Sequence, residues 1–545
     1  MQKNSLFFRF LTRMTIHLVI YTLLCLGLYT CATPSAPTGG PVDETPPKVV
    51  MEKSTPNFQT NFKPQTIELT FDEWIKLKNA NQQVIISPPF EGFKVHLKGK
   101  SLILDLGNKD TLRNNVTYVV QFGESVVDLT VGNPAKDLRF VFSTGAEIDS
   151  LEFSGEVVDA YTGKPIDKAL VLLYENQADS VFRTQRPFYF GRTGENGRFD
   201  IYNMRAGSYK VCALLDADAN YRFNQVNEPI AFLEEAVVIS KDTSSRLTLQ
   251  LFQEQMPLQL QETDQSQGVV KLLYNQNPIP LLKTKGEYTG YKQSFEKDTA
   301  FIWHQSALDW TLYLSADTTY YDTITVDAVK NTATIENIQL KKLKREDLNP
   351  FPRKTYPIRF SQPINQLDTT LAHLYADSSL QALPYEWNVD STNIQQLDVK
   401  HRFKENTAYK WIALPGAITN FFGQSNPDTL EVNWTTDARK NYGNIAFRFT
   451  TEDASQAYFI KILKKDKAPI ATFQLQGALD YERLLDGVPP DDYQLEIILD
   501  DNANGRWDTG NYDAKQQAEK VIIRPIEKLR ANWDLEVEVN LKRSE

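Results

Sequence analysis

The sequence predicts an all-β chain built as tandem β-sandwiches, and three observations carry that prediction. Apolar and polar side chains alternate in short runs bounded by Gly, Pro, Asn and Asp, the period-two pattern of half-buried strands. The composition favours residues that suit a pleated surface, Tyr (24) and Phe (30) among them, together with Thr and Val. The chain has 545 residues, more than one core organises, so several domains are required.

The order begins with an address. Lys3, Arg9 and Arg13 precede an apolar run from Met14 to Leu28 that is short for a bilayer span and of the right length for a signal-peptide core. Residues 1–30 are expected to be an export signal that is later removed. The run ends in Leu28-Tyr29-Thr30-Cys31, which resembles the lipobox of bacterial lipoproteins. That resemblance implies acylation of the Cys31 thiol, with Cys31 as the mature N-terminus; ordinary secretion with cleavage just beyond is the alternative. Residues 31–48 are rich in Pro, Gly, Ser and Thr without apolar periodicity, and are expected to run extended. At ~3.1 Å per residue they form a tether of about 50 Å. Each buried acyl methylene contributes roughly 0.8 kcal/mol, so a multiply acylated Cys31 holds its cargo on a membrane.

Loss of the three basic signal residues leaves 56 Lys and Arg against 69 Asp and Glu, a mature charge of about −13. This disfavours nucleic acid or an anionic lipid face as partner. Of three cysteines only Cys212 remains once Cys25 is cleaved away and Cys31 acylated, so no intrachain disulfide is expected.

The first globular stretch, residues 49–146, alternates at Ile67 to Phe71 and Phe93 to Leu97, turns at Lys98-Gly99-Lys100 and continues through Leu102, Leu104 and Leu106. Leu112 to Tyr118 is expected to open a strand that Val120 and Phe122 continue, and Phe140 to Thr144 to close the unit. With Phe71, Ile75, Asn115, Tyr118 and the terminal Phe-Ser-Thr, this stretch resembles the bacterial Ig-like domain of S-layer proteins and lipoproteins. Residues 151–246 begin with Gly155 to Ile166, then Ala169, Val171 and Leu173; they continue with Thr193 to Phe199, expected as a central hairpin, and Gly207 to Val211. They resemble the carboxypeptidase regulatory-like, or transthyretin-like, sandwich, a noncatalytic appendage of peptidases. Residues 247–345 show further strands, at Val269 to Leu273 and Trp310 to Leu314, and are expected to form a third sandwich.

The pattern then repeats. Phe360 with Ile364, Phe403 to Tyr409 and Trp434-Thr435-Thr436 parallel Phe71 with Ile75, Leu112 to Tyr118 and Phe142-Ser143-Thr144, which implies a second Ig-like unit over 347–438. Tyr493 to Asp508 lies over Tyr209 to Asn224 without insertion, which implies a second transthyretin-like unit over 440–545.

The second repeat delivers two acidic loops. Asp500, Asn502, Asn504 and Asp508 occupy the first, third, fifth and ninth places of an EF-hand-like calcium loop, with Gly505 at the sharp turn. Arg506 is expected to supply a backbone carbonyl. Place twelve is Asn511, with Asp513 close by. The earlier copy offers Asp216, Asp218, Asn220 and Asn224 as a weaker candidate, with Tyr221 where glycine is wanted. A structural Ca2+ is one expectation; an Asx-rich hairpin that caps its own amides is the other.

The mature histidines, His96, His304, His373 and His401, show no zinc-ligand spacing. No nucleophile elbow, phosphate-cradling glycine loop or reactive-cysteine context is present, so the chain is not expected to be an enzyme. Trp303, Trp310, Tyr320 and Tyr321 are expected as core filler, with a sugar-stacking platform as the alternative. Asp110-Thr111-Leu112, Asp298-Thr299-Ala300, Asp322-Thr323-Ile324 and similar triplets resemble the O-glycosylation sequon of Bacteroidota extracytoplasmic proteins, and also suit strand openings. As a whole the chain resembles the Ig-like-domain lipoproteins of Bacteroidota, including Gly39 to Pro47. The resemblance implies a lipid-anchored outer-membrane protein, periplasmic or surface-facing. Its expected partners are the membrane through the anchor and other envelope proteins, such as a barrel assembly or transport complex, or a surface glycan; a hydrolase is the more distant alternative.

Overall fold

A computed structural model describes residues 44–541 apart from 91, 108–109, 242–245, 267, 280, 317–319, 331–334, 343–350, 353–354, 378, 380, 392 and 465–468. The export signal, Cys31 and most of the tether lie outside the described residues. The chain divides into two compact units, Met1–Asp149 and Ser150–Glu545.

The first unit is an antiparallel sandwich. One sheet pairs Ser101–Asp105 with Ile67–Thr70 and Lys94–Lys98; the other pairs Thr117–Gln121 with Ile85–Ser87 and Arg139–Ser143. A short ladder joins Ile75–Leu77 to Val126–Asp128. Alternation places Ile67, Leu69, Leu102, Leu104, Tyr118, Val120, Phe140 and Phe142 in one core. The strand expected from Leu112 starts only at Thr117. The preceding residues turn instead, because Asn115 takes a left-handed conformation (φ 55°) that asparagine tolerates, and the Tyr118 hydroxyl accepts the Arg113 N–H at 2.8 Å.

The second unit contains four sandwiches. In the second of the chain, Leu151–Asp159 pairs antiparallel with Arg198–Met204 and parallel with Leu247–Leu251, facing a sheet built on Leu170–Tyr174 and Gly207–Leu214. Two expectations change here. Strand Leu247–Leu251, expected to open the third unit, completes the second, its Leu249 and Leu251 filling that core. The Thr193 to Phe199 stretch is a crossover rather than a hairpin: Tyr189–Arg192 and Arg198–Met204 belong to opposite sheets, and the connecting turn at Gly197 (φ 73°) carries the chain between them.

The third sandwich joins the sheet of Leu260–Ser266, Val269–Tyr274, Thr299–Trp303 and Lys292–Glu296 to that of Leu282–Gly286, Trp310–Ala316 and Tyr320–Val326. Trp310 fills its interior and Trp303 is buried against Phe422, each 5% exposed, so neither offers a stacking platform. The side chains of Tyr320 and Tyr321 lie outside what is described. The fourth sandwich repeats the strand order of the first: Gln396–Lys400 lies between Thr355–Arg359 and Glu386–Val389, Ala408–Ala413 between Ala372–Ala376 and Leu430–Thr435, and Ile364–Leu367 pairs Ile418–Asn420. The last repeats the second, with Gly443–Thr450 again paired antiparallel to one neighbour, Asp480–Val488, and parallel to the other, Asp534–Asn540.

These four are not strung in a row. Phe422 of the fourth packs with Trp303 and Ile335 beside the third. Phe351 and Tyr442, at the approaches to the fourth and last sandwiches, meet at 5.2 Å between ring centroids. The last sandwich then returns to the second through Tyr161, which donates to Glu496 at 2.7 Å, and through Tyr512.

Candidate cation-binding loops and the junction they flank

Each candidate loop leaves the end of a central strand, Gly207–Leu214 or Tyr493–Asp500, and folds by one hydrogen-bond scheme. The Asp216 carboxylate accepts the Asn220 and Tyr221 N–H groups at 3.3 and 2.7 Å; the Asp500 carboxylate accepts those of Asn504 and Gly505 at 2.9 and 2.7 Å. Asn220 and Asn504 then accept the Arg222 and Arg506 N–H groups. These Asx turns cap the backbone amides of each loop, while the Nδ2 groups of Asn220, Asn502 and Asn504 donate to the Asp218 and Asp508 carboxylates. Position six is left-handed in both, at Gly505 (φ 74°) and, against the preference of an aromatic residue, at Tyr221 (φ 64°).

Beyond the loops stand two glutamates that the spacing did not reveal. Glu228, fully buried, accepts the Ala217, Asn224 and Gln225 N–H groups. Glu519, 5% exposed, accepts those of Asp501 and Asp508 at 2.9 Å each. They follow their first aspartates at different distances, so no fixed motif connects them. In the earlier loop one carboxylate oxygen from each of Asp216, Asp218 and Glu228 lies within 4.8 Å of the others. Two oxygens on opposite sides of a Ca2+ at about 2.4 Å are separated by that much, so these three suit one hard cation. The earlier loop, the weaker candidate from sequence, thus presents the tighter carboxylate group.

In the later loop Asn502 and Asn504 both donate to Asp508, and Arg506 approaches the Asp508 carboxylate at 2.8 Å. Two expected members are elsewhere. Asn511 accepts the Ala514 N–H and bridges to Gln516, closing its own turn, and Asp513 pairs with Arg183. Glu519, rather than Asn511, accepts backbone N–H groups of the loop. Burial pushes the Glu519 carboxyl up to about 7; its two backbone N–H bonds pull the other way, and the Asp508 and Asp500 charges add to the rise. Burial also raises the Asp216 carboxyl, with the Glu228 charge acting in the same direction.

The loops flank a built junction. Past Asp508 the chain carries Tyr512 into an aromatic cage of the second sandwich, with ring centroids 5.1 Å from Phe232, 5.2 Å from Phe182 and 6.0 Å from Phe223. The Tyr512 hydroxyl donates to the Asp179 carbonyl at 2.5 Å, its N–H to Glu254, and Thr509 donates to the Gln253 carbonyl. Arg183 with Asp513 and Lys515 with Asp179 frame the cage. Nearby, Tyr161 meets Trp507 edge-on at 5.1 Å and accepts from Lys461; burial raises the Tyr161 hydroxyl and lowers the Lys461 ammonium.

The other residues weighed for chemistry are committed to packing. His304, 1% exposed, sits 3.5 Å from the Trp310 indole nitrogen, and burial lowers its imidazole. His401 bonds the Pro384 carbonyl. Cys212 is fully buried on its strand, with its thiol pushed up by burial.

The first sandwich and the fourth share one local signature. Tyr118 accepts the Arg113 N–H and Tyr409 the Lys404 N–H, each five residues back, while Thr144 and Thr436 donate to the carbonyls of those same residues. Residues 43–144 match the family described as bacterial Ig-like domain. The chain contains an Ig-like domain. No curated protein matches the sequence. Among solved structures, native alpha-2-macroglobulin from Escherichia coli spanning domains MG0-NIE-MG1 is 10% identical, covering 36% of this chain and 92% of that one at a TM-score of 0.17. The major pilin subunit BcpA of Bacillus cereus is 9% identical, covering 72% and 100% at 0.14. Domains 4–9 of the surface layer protein SbsC are 7% identical, covering 90% and 83% at 0.16.

Proposed function

We propose that this Ig-like-domain protein is a non-catalytic scaffold of the cell envelope, held at the outer membrane by acylation of Cys31 and presenting its sandwiches to other envelope proteins. The observation that carries this reading is the return of the last sandwich to the second through Tyr512. A chain that spends a buried tyrosine, two ion pairs and several backbone bonds on joining its own distant domains is built to hold surfaces in fixed relation. The acidic balance supports a protein partner over nucleic acid. The anchor is tested by detergent-phase partitioning. The wild type is expected in the membrane fraction and Cys31→Ala in the aqueous phase; a wild-type protein found free with an unmodified N-terminus overturns the reading. For partners, barrel proteins recovered from solubilised envelopes support a subunit of an assembly or transport complex, and retention on a glycan matrix supports carbohydrate binding.

A second reading is favoured by the buried glutamates: the two loops bind Ca2+ as a structural ion. Asp216, Asp218 and Glu228 gather their carboxylate oxygens within 4.8 Å, and in the later loop the Asp508 and Asp500 charges act on the buried Glu519; a divalent cation offsets such repulsion. Ligand binding stabilises by about 2.7 kcal/mol at one hundred times Kd, so Ca2+ is expected to raise the melting temperature and Glu228→Gln to diminish that rise. Identical melting with Ca2+ and with chelator sinks this reading.

A further inference from the structure

The first sandwich exposes an apolar tip that the fourth sandwich keeps covered. In the first, the Trp74 carbonyl accepts the Leu129 N–H at 2.9 Å, one step past the ladder that pairs Ile75 with Asp128. Residues directly opposite in such a ladder project to the same side. The Asp128 carboxylate accepts the Val131, Gly132 and Asn133 N–H groups, which fixes the turn, and these bonds outweigh its desolvation to hold the carboxyl low. Trp74, Leu129 and Val131 are 56%, 53% and 48% exposed.

The fourth sandwich has the same construction. The Pro363 carbonyl accepts the Phe421 N–H at 2.9 Å past the ladder of Ile364 with Asn420, and Asn420, standing where Asp128 stands, accepts the Phe422 and Gln424 N–H groups. There the tip is occupied. Phe422 is buried with Trp303 and Ile335, Lys292 lies 5.4 Å over the Phe421 ring, and Gln305 donates to the Phe421 carbonyl. The tip is therefore a docking device, used in one copy and uncovered in the other.

Chain direction identifies the occupant. In the fourth sandwich the approaching chain pairs antiparallel at Leu340 and Phe360, and the Ser361 N–H bonds the Gln339 carbonyl, so the residues before them run toward the tip. The tip rests on the sandwich from which that chain comes. In the first sandwich the approach is the same. Val49 bridges Phe71, the Lys48 and Asp72 backbones lie together, and antiparallel pairing carries the preceding residues toward Glu73 and Trp74. What precedes here is the tether: Glu44 is thirteen residues past Cys31, a reach of at most about 45 Å.

We propose that the tip of Trp74, Leu129 and Val131 seats in the interfacial region of the bilayer from which the protein is tethered; this rests on acylation of Cys31. Indole and aliphatic side chains together suit that boundary. The Lys76 ammonium donates to the Leu129 carbonyl and that of Lys100 to the Asp72 carbonyl, so the contact proposed is apolar and needs no anionic headgroup. So small a patch binds weakly alone, but an anchor makes its contact intramolecular and raises its effective concentration.

The test uses the full-length acylated protein in phosphatidylcholine vesicles with brominated acyl chains, read by flotation and tryptophan fluorescence. Wild type is expected to float with its fluorescence partly quenched; Trp74→Phe floats and loses most of that quenching, and Leu129→Asn floats and reduces it. Adding phosphatidylglycerol leaves the quenching unchanged. Floating protein with equal quenching in wild type and Trp74→Phe overturns the tip proposal while leaving the anchor intact. Protein that does not float overturns the anchor and the tip together.

Discussion

Tyr118 and Tyr409 each spend a hydroxyl on a backbone N–H five residues back, and that single bond decides where a strand begins. Replacing either with Phe keeps the ring in the core and strands the Arg113 or Lys404 N–H. Both bonds are only part-buried, so the cost falls at or below the low end of the range for a fully buried unsatisfied donor, about 1–3 kcal/mol. Each Phe variant is expected to lower the stability of its own sandwich by about 1 kcal/mol, read by denaturant unfolding, with the other sandwich unmoved. Glu519 gives a pH prediction. Its carboxyl is raised in the fold to about 7 from an ordinary 4.5, so the folded protein binds the proton more tightly than the unfolded chain. Its contribution is fully present below pH 4.5 and is lost as pH rises to about 7, on the order of 3 kcal/mol. In Ca2+-free buffer Glu519→Gln is expected to flatten the fall in melting temperature between pH 5 and about 7; an unchanged slope removes Glu519 as its source.

Among the elements, the segment from Thr509 to Gln517 has the largest consequence for its size. It adds no strand to its own sandwich, yet places Tyr512, 6% exposed, among Phe182, Phe223 and Phe232 of another. Truncating a buried aromatic to alanine costs about 3–5 kcal/mol, here charged to docking because both sandwiches keep their own cores. Tyr512→Ala is expected to leave both folded while residues 179–183 and 509–517 lose hydrogen-exchange protection together; protection unchanged in both segments refutes the junction. Strands with strict alternation, such as Ile67–Thr70 and Lys94–Lys98, were legible because one face is wet and one dry. The limits of Thr117–Gln121, the sheet of Leu247–Leu251 and the crossover at Gly197 were not, since a remote hydroxyl, a parallel partner and a change of sheet leave no period in the sequence. Asx residues at alternate places disclosed the loops, whereas Glu228 and Glu519, placed by tertiary folding at unequal distances, left no spacing to read.

Across the second unit, contacts join the third sandwich to the fourth, the fourth to the last and the last back to the second, so stability is shared along a path that sequence order hides. A chain whose sandwiches met only their sequence neighbours would answer loss of its last member in the fourth. Here the fourth gives up a modest contact, Phe351 with Tyr442 and Arg439, whereas the second gives up the cover of an aromatic cage and the partners of Asp179, Arg183 and Tyr161. Several aromatic rings opened to water cost roughly 25 cal/mol per Å² each, and an apolar patch of that kind invites association. Ending the chain after Ala438 is therefore expected to raise hydrogen exchange most at residues 179–183, 223, 230–232 and 252–254, 184 to 259 residues upstream of the cut, and to promote self-association measurable by light scattering. Exchange that rises mainly around Ala408–Ala413 and Leu430–Thr435 would show instead that each sandwich leans only on its neighbours in sequence.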